Sequence, residues 1–206
     1  MGRYEAVLFD FDGVLVDSEP VHYECWREVL GPFGIRLEWD DYCRSCIGVA
    51  DREMIEMLCR LCGRPDLFDA VWAEYPRKKE LFRGRMAEHV PMPAETREAV
   101  LALEGYRLAV VSSSGRTEVE PSLVLAGVRP AFAAVVTRED VARLKPAPDP
   151  YWKAAELLGV RRALVVEDSD AGVESGRAAG FDVLRVGSAA ETARLLAVKL
   201  AAGSAD

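Results

Sequence analysis

No stretch of this chain approaches the roughly 20 apolar residues that cross a bilayer, so a membrane span is not expected. An excess of positive charge is missing too: 26 Lys and Arg stand against 34 Asp and Glu, leaving −8 at pH 7. Nucleic acid and anionic membranes recruit clustered cations, so neither is expected as a partner. A single basic pocket for an anionic ligand stays compatible with that balance. Nothing before Asp10 has the apolar length of a signal peptide, and Ala6 stands where a myristoylation motif needs Ser or Thr. Five cysteines are an odd count, which suits a reducing compartment better than a disulfide framework. The expectation is a soluble, cytoplasmic protein, monomeric by default. Half of the 206 residues are apolar and 29% are charged, an ordinary globular composition.

The apolar pattern changes type along the chain. Residues 4–9 (YEAVLF) predict a short buried strand ending at Asp10. Residues 18–86 carry helix-like spacing, such as Trp26, Leu30 and Phe33, and show no convincing buried strand. From about residue 94 helix and strand alternate, with strands expected at 107–111, 133–137, 163–166 and 182–186. The helices between and after them are expected at 94–104, 116–126, 150–158, 171–179 and 189–201. Short apolar strands alternating with amphipathic helices imply a parallel sheet covered on both faces. The economical fold is α/β: a doubly wound, Rossmann-like core (1–16 and 88–206) with an inserted helical subdomain (17–87).

Ligands of such sheets bind outside the carboxyl ends of the strands. The first strand delivers Asp10-Phe11-Asp12-Gly13 there, and the strand at 107–111 delivers Ser112-Ser113-Ser114-Gly115. Lys145 comes from the loop before helix 150, and Glu167-Asp168-Ser169-Asp170 follow the strand at 163–166. Crowded carboxylates are costly: two unit charges roughly 4 Å apart repel by about 4 kcal/mol at an effective dielectric near 20. A hard divalent cation removes most of that penalty, and oxygen ligands without His or Cys select Mg²⁺ over Zn²⁺. Serines beside glycine at a strand-to-helix turn suit a phosphate. The set reads as a Mg²⁺ and phosphate site.

These four segments resemble the motifs of the haloacid dehalogenase (HAD) superfamily, in the branch with a helical cap inserted after the first motif. They are Asp10-Phe-Asp12-Gly-Val-Leu-Val-Asp17-Ser18-Glu19, Val110-Val-Ser112-Ser-Ser, Lys145-Pro-Ala-Pro-Asp149 and Val166-Glu167-Asp168-Ser-Asp-Ala-Gly172. Order and spacing match over nearly the whole chain. The branch includes beta-phosphoglucomutase, phosphoglycolate phosphatases and sugar phosphatases.

The resemblance implies roles. Asp10 is the nucleophile that forms an aspartyl-phosphate. Asp12 is the acid that protonates the leaving alcohol and then takes a proton from water. Asp10, the Asp12 carbonyl and Asp168 hold Mg²⁺, with Glu167 a further or outer ligand. Ser112, the N–H of Ser113 and Lys145 bind the phosphoryl group. The implied substrate is a small phosphorylated metabolite.

On the cap, His22 and Trp26 match a His-x-x-x-Trp pair of the mutase branch, and Lys78 falls where that branch has a lysine. The mutase cap also has a lysine just before a Gly-Val pair and an arginine shortly after it. Here Ile47 precedes Gly48-Val49, and Asp51 takes the arginine position with Arg52 one step later. A mutase must grip a second phosphate, so these departures favour a phosphatase over a hexose-phosphate mutase. His22, Arg52 and Lys78 are the candidate cap contacts to substrate. A non-catalytic binding module with a cysteine-rich cap is the reading from another class. In that cap, Cys43-x-x-Cys46 and Cys59-x-x-Cys62 have zinc-like spacing, but their flanks are helical, which favours cysteine as a small apolar residue. Asp170 reads as the N-cap of helix 171–179, and Asp149-Pro150 as an N-cap and first-turn pair.

Overall fold

The computed structural model describes residues 3–202. The chain divides into two compact units, Met1–Asp17 with Val90–Asp206, and Ser18–His89. In chain order the elements are β1 (Ala6–Phe9), α1 (Glu19–Leu30), α2 (Trp39–Ser45), α3 (Asp51–Leu61), α4 (Phe68–Ala73) and α5 (Tyr75–Glu88). They continue as α6 (Ala94–Leu101), β2 (Arg107–Val111), α7 (Arg116–Leu125), β3 (Ala134–Val136) and α8 (Asp149–Leu158). The last are β4 (Ala163–Glu167), α9 (Asp170–Ala178), β5 (Asp182–Arg185) and α10 (Ala189–Ala202).

The unit containing the termini is the expected α/β core. Its sheet is parallel throughout, in the order β3-β2-β1-β4-β5. The chain therefore leaves β1, builds outward on one side through β2 and β3, and returns to the other side through β4 and β5. This reversal puts a switch point at the central strand, where open α/β sheets place their ligands. Register aligns the strand ends: Phe9 pairs with both Val110 and Val166. The ladder carries on one step further, with Asp10 N–H donating to Val166 O and Ser112 N–H to Val136 O.

The β1, β2 and β4 sequences are apolar because both sheet faces are covered. On one face Ala6, Leu8, Ala109, Val111, Ala163 and Val165 pack with Tyr151, Ala154 and Leu158 of α8. The two-residue spacing within each strand is what puts these side chains on one side. Two buried hydroxyls tie α10 to distant segments: Thr96 donates to Ala189 O and Thr192 to Val14 O. Asp17 Oδ1 accepts the Ala189 N–H at the start of α10, while its own N–H donates to Pro91 O.

The second unit is helical. Its core gathers Tyr23, Trp26, Val29 and Leu30 of α1 with Met54, Ile55, Leu58 and Cys59 of α3, plus Tyr42, Cys46 and Val71. The short helices α2 and α4, seven and six residues long, are below the length that is stable alone, so packing into this core holds them.

Two helix starts differ from expectation. The α9 cap is Ser169, whose hydroxyl accepts the Gly172 N–H, and Asp170 is already helical, paired with Arg185. Asp149 likewise lies inside α8, with Pro148 preceding it, and pairs with Arg143. In both cases an arginine takes the carboxylate that the sequence offers to the backbone.

Candidate active site

Asp10 directly follows β1 and is buried, and the next residues fold back as a tight loop. Leu15 and Val16 N–H groups both donate to Phe11 O, and Gly13 N–H donates to Val16 O. The loop holds Asp12 beside the end of β2, where Ser114 Oγ donates to Asp12 Oδ2 at 2.8 Å. Ser112 is buried, and its hydroxyl accepts the Ser114 N–H at 3.0 Å. Ser113 is exposed at this turn.

The Lys145 ammonium meets the ends of β2, β1 and β4. All three of its donor directions are used: Asp10 Oδ1 at 2.6 Å, Glu167 Oε1 at 2.6 Å and Val111 O at 2.9 Å. Glu167 is fully buried and fully engaged. Its Oε1 also accepts the Tyr151 hydroxyl at 2.7 Å. Its Oε2 accepts the Asp168 N–H at 3.1 Å, the Ser169 N–H at 3.4 Å and the Ser169 hydroxyl at 3.2 Å. Gly172 makes this possible, because a Cβ there would lie 1.9 Å from the carboxylate.

Asp10, Glu167 and Asp168 each offer an oxygen within 4.8 Å of the others. Three carboxylates around one ammonium leave an excess of two negative charges, and the acidities register it. Burial first, and then the Glu167 charge, hold Asp10 well above the usual carboxylate range despite Lys145. The same causes push Asp168 up to about 6. The Lys145 ammonium is held above its usual range by Asp10 and Glu167, which outweigh its desolvation. An all-oxygen donor set with this charge excess fits a hard divalent cation.

The structure thus brings Asp10, Lys145, Glu167 and Asp168 together, with Ser112 and Asp12 linked through Ser114 at the β2 end. Tyr151 and Ser114 are the partners that sequence reasoning missed. Ser114 stood in the serine run without a role. Tyr151 carried no signal beyond its place in an amphipathic helix.

The candidate cap residues lie in the helical unit. His22 stacks on Phe82 with centroids 4.1 Å apart, and its Nδ1 stands 2.7 Å from Lys78 Nζ. Burial and the neighbouring ammonium hold His22 well below the usual imidazole range, so it is neutral and Nδ1 accepts from Lys78. Lys78 is buried over the Trp26 and Phe82 rings, and among the described residues no carboxylate pairs with it. Arg52 sits on other rings, those of Phe68 and Trp72. Asp51 accepts the Trp26 indole N–H at 3.2 Å. Cys46 and Cys59 belong to the helical core while Cys43 and Cys62 are exposed. Among the described residues, the one group of three or more His, Cys, Asp or Glu side chains close enough to hold a metal is that of Asp10, Glu167 and Asp168.

A family model described as haloacid dehalogenase-like hydrolase matches residues 7–186. The chain belongs to this family. It is 34% identical over 188 residues to the fructose-1-phosphate phosphatase YqaB of Escherichia coli, covering 89% of this chain and 97% of that protein. It is 33% identical over 186 residues to a phosphoglycolate phosphatase of Cupriavidus necator, covering 88% and 80%. Among solved structures, a CbbY mutant from Rhodobacter sphaeroides in complex with xylulose-(1,5)bisphosphate is similar at a TM-score of 0.70. It is 25% identical, with 89% of this chain and 87% of that chain covered. These relatives place the HAD-like enzyme among the phosphoric monoester hydrolases of its family. None of its helices, among the described residues, is long and apolar enough to cross a membrane.

Proposed function

We propose that this enzyme is a Mg²⁺-dependent phosphatase of small phosphomonoesters, sugar phosphates in particular, working through an aspartyl-phosphate on Asp10. The observation that carries the reading is the meeting of Asp10, Lys145 and Asp168 at the end of the central strand. An Asp10 oxygen attacks phosphorus, and the ester P–O bond breaks. Asp12 gives its proton to the leaving oxygen, then takes one from the water that attacks the acyl phosphate, and inorganic phosphate leaves. The Ser112 hydroxyl and the Ser113 N–H hold phosphoryl oxygens, while Lys145, its three donors engaged by Asp10, Glu167 and Val111 O, offsets the phosphoryl charge from beside the nucleophile. Asp10, Asp168 and the Asp12 carbonyl would hold the cation, which when bound offsets phosphoryl charge. Glu167 has its oxygens taken by five donors, so its part is to place Lys145 and Asp168 rather than to bind the cation directly.

His22 and Lys78 are proposed to recognise oxygen atoms of the substrate, because among the described residues no carboxylate pairs with this buried ammonium. Arg52 is the further cap candidate. The Asp51 carboxylate, fixed by Trp26 where the mutase branch has arginine, favours hydrolysis over the mutase reading. A cytoplasmic monomer is the proposed working form.

The test is a panel of phosphomonoesters scored for released phosphate, with Mg²⁺ and with EDTA. Release of phosphate that EDTA abolishes and Mg²⁺ restores is the expected result. Activity in EDTA equal to that in Mg²⁺ would defeat the cation assignment. An isomerised ester with no free phosphate, seen by phosphorus NMR, would mark a mutase.

A further inference from the structure

We propose that Tyr151 is a positioning residue for the reaction: its hydroxyl holds Glu167 in the one orientation that aims the Lys145 ammonium at Asp10. The inference rests on the reading of Asp10 as nucleophile. Lys145 has three N–H directions, and they end on Asp10, Val111 O and Glu167. The backbone carbonyl is fixed by the sheet. The remaining freedom is rotation of the ammonium about that bond, and the Glu167 carboxylate sets it. The orientation of Glu167 is set in turn at both of its oxygens. Ser169 and two backbone N–H groups hold Oε2, and Tyr151 holds Oε1 on the side where Lys145 arrives.

Ring and hydroxyl do separate work here. The ring is fully buried in the core beneath the sheet, and Lys145 Nζ lies 5.3 Å from its centroid. The hydroxyl touches Glu167, not Asp10 or Asp168 directly, so it acts on the reacting atoms through Glu167. Without that bond, Oε1 keeps Lys145 alone, and the carboxylate can pivot about Oε2, which its three donors still hold. A carboxylate turned by a few tens of degrees no longer presents Lys145 to Asp10 at 2.6 Å, and small displacements of a charge partner are costly in rate.

The experiment compares the wild type with Tyr151→Phe, Glu167→Gln and the double variant, using Mg²⁺ and the best phosphomonoester of the panel. Phenylalanine keeps the ring that fills the core, so the variant retains the packing. The expected result is a kcat lowered about tenfold, the worth of one charge-assisted hydrogen bond, with KM within about twofold of the wild type. In the Glu167→Gln background the same substitution should change kcat by less than about twofold, because the two act as one unit. A structural role alone would shift the melting temperature without this split or this non-additivity. Wild-type kcat in Tyr151→Phe, or an equal loss in both backgrounds, overturns the assignment. Failure of the underlying reading is separate: Asp10→Asn would then retain turnover, whatever Tyr151→Phe does.

Discussion

Gly13 lies against the carboxylate of Asp168 so closely that a Cβ there would stand 2.0 Å from Oδ2. The glycine also has φ +74°, in the region that favours residues without a Cβ. Gly13→Ala therefore has two costs. The left-handed backbone costs about 1–2 kcal/mol in stability, and Asp168 must move. Urea unfolding should show the first. The second should appear as Mg²⁺ activation weakened by about tenfold or more, read from the cation dependence of phosphate release. Unchanged activation would mean that Asp168 has room to rest elsewhere and still serve.

Asp10→Asn keeps the size of the side chain and the sheet hydrogen bond of residue 10. It removes the attacking anion and one of the three crowded charges. The variant should fold, melt at or above the wild-type temperature in EDTA, and release no phosphate from any ester. Phosphorus NMR of the wild type trapped during turnover should show the acyl phosphate, and the variant should lack it. Sustained turnover by the variant would remove Asp10 from the role of nucleophile.

The layout of the core was legible in the sequence for a physical reason: β1, β2 and β4 are buried on both faces, so their runs (AVLF, RLAVV, ALVVE) stand out from polar neighbours. Asp10, Ser112 and Glu167 could be placed at one sheet edge because each is the last residue of such a run or follows it directly. What lay beyond reach was pairing between loops. Nothing in Asp149-Pro150-Tyr151 says that the third residue points at a glutamate sixteen positions on. The helix caps failed similarly, since Arg143 and Arg185 claim Asp149 and Asp170 from outside the helices. On the cap, the resemblance could name Lys78, but not that Arg77 beside it pairs with Glu28 and Glu74 at the surface while Lys78 turns inward.

That inward turn leads to a prediction about the helical unit. Lys78 has lost its hydration and has a neutral imidazole and two aromatic faces in exchange. Aromatic contacts of this kind return only about 0.5–2 kcal/mol, less than desolvation of an ammonium takes. Lys78→Met fills the same space without charge, so the variant should melt at the wild-type temperature or higher. Its kcat/KM on the preferred sugar phosphate should fall about tenfold or more, with a smaller loss on p-nitrophenyl phosphate, which offers fewer oxygens to recognise. A variant both less stable and equally active would make Lys78 a structural residue only.

The acidity of Asp168 yields a pH dependence whose sign is fixed. Its carboxyl is raised from 3.8 to about 6 by burial and then by Glu167. Between those values the folded chain binds more protons than the unfolded one, so this group's contribution to stability falls as pH rises from about 4 to about 6. The span of about two pH units corresponds to about 3 kcal/mol. Other carboxylates, such as Asp182 and Asp140, are held low and act in the opposite direction, so the useful quantity is a difference. In EDTA, the stability of Asp168→Asn relative to the wild type should climb by up to about 3 kcal/mol across that window. Saturating Mg²⁺ should erase the climb, because a bound cation favours the ionised carboxylate in the folded state. Urea unfolding of both proteins at pH 4, 5, 6 and 7, with and without Mg²⁺, measures it directly. A flat difference in EDTA would show that these carboxylates do not repel one another, and the charge argument for a cation at the end of β1 would go with it.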